Sequence, residues 1–254
     1  MARGSTYLRS ALIVLLGATL LPALSAGTHA VAASDPRVKF TVQCAYTRSL
    51  PDDPIVFPGQ AGASHLHDFF GNRGVDAFST WDSLQGQPTS CANPGDTAGY
   101  WAPAVYLNGA KIQPLNLRAY YEEQVAVTEL PPGLTMVAGN SHAFGPQSVN
   151  RVYFGCGSGS GISKVDTPPD CSAGGTFTVH VIFPTCLDPL TSAVAYEPCP
   201  AGFTTDLPKL TERIMYPIKD ARGIMLASGP AYTFHADFYN SWNEETLRRL
   251  LLGA

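Results

Sequence analysis

The chain has 254 residues, a formal net charge of −4 and only 14% charged residues. No basic run or stripe is present, which excludes the electrostatic footprint of a nucleic-acid binder and of a protein drawn to anionic lipid. Gly (24) and Pro (21) are plentiful, a composition that favours many short strands and ordered turns over long helices.

Residues 1–33 read as a secretory signal peptide. Arg3 and Arg9 form a positive start, and Ala11 to Leu24 is an apolar run too short to span a bilayer comfortably. Ala30-Val31-Ala32 and Val31-Ala32-Ala33 offer small residues for cleavage. Residues 34–254 are then expected to form one domain, long enough to bury a real core. No later apolar run suits a transmembrane anchor, so the expected location is extracellular. Six cysteines follow the leader, and an even count in an exported chain reads as three disulfides. Of the fifteen possible connectivities the sequential one is the expectation: Cys44–Cys91, Cys156–Cys171 and Cys186–Cys199.

Val38 to Cys44 alternates apolar and polar residues, as a half-buried strand does. Pro51 to Gly62 is turn-rich and leads into His65-Leu66-His67-Asp68-Phe69-Phe70-Gly71. In extended backbone, positions two apart share a face, so His65 and His67 converge while Asp68 turns away. Ala104 to Gln113 reads as a hairpin around Asn108-Gly109, a pair suited to a type I′ turn. Strands are expected at Leu115 to Gln124 (Tyr120 and Tyr121 on opposite faces), Leu134 to Ala138, Asn150 to Phe154, Thr176 to Phe183 and Tyr232 to Phe238. Gly155 to Gly175 reads as a stapled surface loop. Only the tail, Asn243 to Leu251, reads as a helix, with acidic residues in its first turn and arginines in its last. The predicted class is all-β, a sandwich or jelly-roll-like single domain with a short C-terminal helix.

The chemistry centres on few residues. His65 and His67 supply two imidazoles on one face; a divalent ion, zinc or copper, needs a third ligand, for which His235 is the candidate. Asp237 lies two residues on, shares a strand face with His235 and is expected to orient it. Without a metal, His67 and His235 with Asp237 suit general acid–base catalysis near neutrality, with Tyr106 or Tyr121 as a second proton carrier. Trp81, Tyr106 and Tyr121 are candidates for stacking on sugar rings. Nucleophilic catalysis lacks support: no G-x-S-x-G elbow is present, and the cysteines are taken by disulfides. His180, between Val179 and Val181, is expected to be half exposed and not a ligand.

The chain resembles the secreted DUF1996 family of filamentous fungi and actinobacteria. The landmarks are the His65–Gly71 stretch, Tyr100-Trp101-Ala102-Pro103, Pro131 to Gly139, Val181 to Cys186 and Phe234 to Trp242. The chain departs from the family pattern at Leu187-Asp188-Pro189, where Trp-Asp-Gly is usual. It also departs at Ala236 and Ser241, where glycine is common, and the stretch after Cys199-Pro200 lacks the histidine-proline pair often found there, so a site that used those groups would be incomplete. Some members carry wall- or carbohydrate-binding modules, and the resemblance therefore implies a cell-wall or environmental polysaccharide as partner. The expectation is an exported protein that acts on or binds such a polymer. The alternative is a non-catalytic wall-associated module whose histidines only order loops.

Overall fold

The computed structural model describes residues 1–2, 38–122, 129–157 and 162–252. Apart from its first two residues, the expected leader lies outside them. All elements belong to the compact unit Ser34–Ala254.

The first half of that unit runs β1 (Val38–Cys44), β2 (Tyr46–Leu50), β3 (His67–Gly71), α1 (Trp81–Leu84), β4 (Gly99–Pro103), β5 (Val105–Leu107), β6 (Ala110–Ile112) and β7 (Asn116–Glu122). It continues with β8 (Thr135–Gly139), β9 (Val152–Cys156), β10 (Phe177–Ile182), β11 (Cys186–Leu187), β12 (Val194–Ala195), β13 (Thr205–Asp206) and β14 (Lys209–Met215). Last come β15 (Met225–Leu226), β16 (Gly229–Pro230), a 3-10 turn at Ala231–Thr233, β17 (His235–Tyr239) and α2 (Glu244–Leu252). The expected all-β class with a short C-terminal helix is what the chain adopts.

Two five-stranded antiparallel sheets carry the fold, ordered β1-β7-β14-β10-β9 and β2-β3-β4-β17-β8. Their facing surfaces meet in one core. The first sheet contributes Leu117, Ala119, Tyr121, Val179, Val181, Leu210 and Ile214; the second contributes Phe70, Tyr100, Ala102, Ala138, Ala236 and Phe238. Burial alternates along β7 as the period of two requires, so Tyr121 faces in and Tyr120 out. Two smaller sheets, β12-β11-β13 and β16-β15-β5-β6, are built on turns. The β5–β6 hairpin turns at Asn108 and Gly109 with φ of 51° and 80°, the positive values a type I′ turn needs.

The three disulfides follow the sequential pairing. Strands β2, β4 and β14, the last at the centre of its sheet, were not expected; the other differences are local. The strand expected from Tyr232 begins only at His235, because Ala231–Thr233 forms a 3-10 turn whose Thr233 hydroxyl donates to the Pro230 carbonyl. The short helix α1 was not expected. It is started by a reciprocal cap, Thr80 accepting from the Ser83 amide and Ser83 from the Thr80 amide. Gly155 and Cys156, expected in a loop, close β9, while residues 158–161 and 123–128 lie outside the described residues. His180 is buried, not half exposed: on β10, one strand in from the sheet edge, its ring stacks on Tyr153 at 4.3 Å between centroids.

Candidate functional site

The register of the second sheet decides which side chains meet. On β4, Pro103 pairs with His67 of β3 and lies level with His235 of β17; Trp101 pairs with Phe69 on one side and Asp237 on the other. Residues directly opposite in an antiparallel sheet share a face, as do residues two apart in one strand. His67, His235, Asp237, Phe69 and Trp101 therefore all leave the sheet on the side away from the main core. Their alternating neighbours Phe70, Tyr100, Ala102, Ala236 and Phe238 fill that core. A second apolar cluster of Phe69, Val75, Leu84, Trp101 and Tyr239 covers the outer face beside the polar groups.

The loop between β2 and β3 brings in the rest. Its ends are joined where the Ser64 amide donates to the Pro51 carbonyl at 3.1 Å. Its carboxylates fix its course from within: Asp52 accepts from the Gly62 and Ala77 amides, and Asp53 from the Ile55 and Val56 amides. The loop then delivers His65 beside His67, with ring centroids 4.2 Å apart, and beside His235 at 5.0 Å. His67 and His235 are 5.7 Å apart on the same measure.

Backbone carbonyls set the tautomers of two rings. His67 Nδ1 lies 3.0 Å from the Asp52 carbonyl oxygen, and His235 Nδ1 lies 2.9 Å from that of Thr233. A carbonyl can only accept, so both Nδ1 atoms carry the hydrogen and both Nε2 atoms present a lone pair. Nε2 of His65 and of His67 is buried without a partner, as are both carboxylate oxygens of Asp237. Asp237 Oδ2 lies 4.0 Å from His67 Nε2. An acceptor facing an acceptor at that distance, out of water, is unfavourable unless a proton or a cation lies between them. Ligand atoms of His65, His67 and His235 lie within 4.8 Å of one another, as do those of Asp53, His67 and Asp237. The two groups share His67, which links a set of three imidazoles to a pair of carboxylates. Another group, Cys44, Cys91 and Asp96, offers no thiolate because its cysteines form a disulfide.

Burial holds the rings neutral. The His67 value is driven far below that of an ordinary histidine by burial, with the neighbouring imidazoles adding to it; His235 is pushed down to about 4, chiefly by burial. Burial raises the Asp237 carboxyl well above the usual range, and the charge of Asp53 raises it further. Neutral imidazoles are the form that ligates metal.

The profile of the family described as Domain of unknown function (DUF1996) matches residues 53–242. The chain belongs to the DUF1996 family. No curated protein and no solved structure matches it. In this DUF1996 chain the departures from the family pattern fall away from the histidines. Leu187 is buried in β11, Ala236 points into the core, and the Ser241 hydroxyl donates to the Thr97 carbonyl.

Several expected site residues move. Asp237 does not orient His235, whose Nδ1 is held by Thr233; its carboxylate faces His67 instead. Tyr121 is fully buried, stacked on Phe40 at 4.6 Å and bonded to the Tyr100 hydroxyl and Trp242 Nε1. It can neither bind a sugar nor carry a proton to this site. Tyr106 is half-buried in the small sheet opposite Lys111 and Met225; among the described residues no hydrogen bond or ring contact joins it to the histidines. Trp81 starts α1 and packs against the outer cluster of Phe69 and Trp101, on the same side of the sheet as the histidines, with a buried and unpartnered Nε1.

One group escaped the sequence reading. Asp53 lay in a segment read only as turns, although an aspartate two residues before a chain reversal suits a side chain that caps backbone amides. His142 is exposed on the loop after β8, near enough for its charge to oppose protonation of His65 and His235. In the sequence, Asn140-Ser141-His142 offers it only as a weaker candidate than the other histidines.

Proposed function

We propose that this chain is an exported metalloprotein whose His65–His67–His235–Asp237 centre acts on or holds an extracellular polysaccharide. One observation carries the metal reading. The Nε2 atoms of His65 and His67 are buried side by side without a partner, His67 with its Nδ1 locked on a peptide carbonyl and its Nε2 facing the unpartnered Asp237 carboxylate, and His235 lies within ligand distance of both rings. A proton on Asp237 would answer His67 Nε2, but it leaves the buried Nε2 of His65 beside it without a partner, and a cation would serve both. The carbonyl partners are the kind of support that ligating histidines draw on. Three nitrogens and an oxygen suit zinc or copper at an open position.

A divalent ion bound there supplies a Lewis acid to a sugar hydroxyl or to water. Trp81 borders the same face and offers an indole edge for a sugar ring. The glycan reading draws on the family resemblance and on export. Export is supported by the leader composition, three disulfides, and the lack among the described residues of any helix long and apolar enough to cross a membrane. N-terminal sequencing of secreted protein should begin near Ala33 to Asp35.

The test uses full-length secreted protein without a histidine tag. Elemental analysis should find close to one zinc or copper per chain. Adding that metal to stripped protein should raise its melting temperature, and His235→Gln should abolish the rise. Wild type that takes up neither ion and shows no shift would end the metal reading. A polysaccharide digestion screen comparing wild type with His67→Ala then separates an enzyme from a binder.

A further inference from the structure

The outer face of the other five-stranded sheet carries a group that the metal centre does not use. One row crosses all five strands: Tyr153, His180, Arg213, Arg118 and Gln43 are successive register partners. Arg213, at its centre, is only 2% exposed, yet its Nε and Nη1 find no hydrogen-bond partner. Among the described residues no carboxylate pairs with it. Its neighbour Arg118 carries the same charge and is satisfied by the Gln43 side-chain oxygen at 3.0 Å. Tyr120 lies under the guanidinium at 5.8 Å from ring centroid to Cζ and its hydroxyl supports the cation by a side-chain hydrogen bond, which leaves Nε and Nη1 open; Lys164 sits over Tyr153 at 4.8 Å. A buried, unpaired guanidinium is costly to fold around.

The same face runs into a groove. Two residues along the strands lie Arg151 and Ile182, and beyond them Lys209 beside Glu122. A hollow of about 420 Å³ opens there, lined by Arg151, Lys209, Ser148, Asn150, Tyr196 and Glu197. Arg151 stacks on the Tyr196 ring at 4.1 Å, so its position is set, and amide and hydroxyl groups surround it. On a chain whose net charge is −4, cations are thus gathered on one sheet face.

We propose that this face binds an acidic saccharide, its carboxylate or sulfate seated on Arg213 and its hydroxyls in the Arg151–Lys209 groove. The planar fork of arginine matches a two-oxygen anion, and no neutral sugar supplies what Arg213 lacks. Tyrosines beside the cations provide the apolar surface that a sugar ring covers. The saccharide class rests on the glycan reading above. The anion requirement rests on Arg213 alone and is independent of the metal centre.

The experiment is calorimetric titration of full-length secreted protein with tetragalacturonate, a sulfated galactan oligosaccharide and cellotetraose. Binding of either acidic oligomer, at least tenfold tighter than cellotetraose and weakened by salt, is the expected result. Whichever acidic oligomer binds identifies the anion. Arg213→Met should lose that preference at least tenfold while raising the melting temperature of the free protein, since it removes an unpaired buried charge. Arg151→Gln, at an exposed position, should lose affinity tenfold and reads the groove even if Arg213→Met fails to fold. Equal affinity for the neutral oligomer overturns this inference and leaves the glycan reading standing. Unchanged acidic affinity in the Arg151 variant overturns it too. Absence of binding to all three removes both readings, whereas zinc or copper uptake by wild type tests the metal centre separately.

Discussion

Single side chains in this protein are pulled in opposite directions by burial. His180 takes its proton only near pH 3 in the folded chain, against an ordinary value of 6.5, because its ring is buried against Tyr153 beside Arg213. The neutral ring is the folded form, so its full contribution is present above about 6.5 and is lost as pH falls towards 3. Melting temperature measured from pH 7 to pH 4 should fall less steeply in His180→Gln than in wild type. Glu212 has the opposite sign. It faces the core from β14 with neither oxygen bonded, and burial raises its carboxyl well above the usual range. Its neutral form suits the fold, and stability is lost as pH rises through the raised value. Denaturant titration should find Glu212→Gln more stable than wild type at pH 8, by about 1–3 kcal/mol, with little difference at pH 4. Sequence alone could not place either group. Alternation puts Glu212 level with Leu210 and Ile214 on one face, but not which face is covered, and a lone glutamate in a strand reads as solvent-facing.

At the scale of elements, the histidine cluster depends on a glycine. Gly139 on β8 pairs with His235, adopts φ of +83°, and a Cβ there would lie 2.6 Å from the Phe234 carbonyl oxygen and 2.9 Å from His235 Cα. Gly139→Ala should cost about 1–3 kcal/mol in chemical denaturation. It should also blunt metal-induced stabilisation, because the strand carrying His235 must move aside. The elements themselves were largely legible. The Asn108-Gly109 hairpin, the Val38 to Cys44 strand and the acidic start of the tail helix each carry a local signal stronger than tertiary context. The 3-10 turn before β17 was not legible, since Tyr232-Thr233-Phe234 has strand-forming side chains and the turn is held by contacts from Pro230, Ser228 and the distant Gln147. For the site, the sequence brought the three imidazoles together through spacing and resemblance. It misassigned Asp237, because which ring a carboxylate faces follows from pairing across β4, not from its distance along β17.

For the molecule as a whole, the disulfides divide the work unevenly. Cys44–Cys91 spans 47 residues and ties the end of β1, in one large sheet, to the segment just before β4 of the other. The remaining two close loops of 15 and 13 residues. Closing the longer loop restricts the unfolded chain most, by about 4 kcal/mol against about 3 for loops near 15 residues. Replacing Cys44 and Cys91 together by alanine should therefore lower the melting temperature more than removing either other pair, as calorimetry would show. One further consequence follows from β3, where His67 and Phe69 look outward while Asp68 and Phe70 look inward. A single-residue deletion inside that strand would invert both sets at once, pushing an imidazole among the hydrocarbon and a phenyl ring into the donor cluster. Drift in the reactive surface that shifts this strand cannot be separated from damage to the scaffold, so descendants that still fold should inherit the spacing of these four residues unchanged.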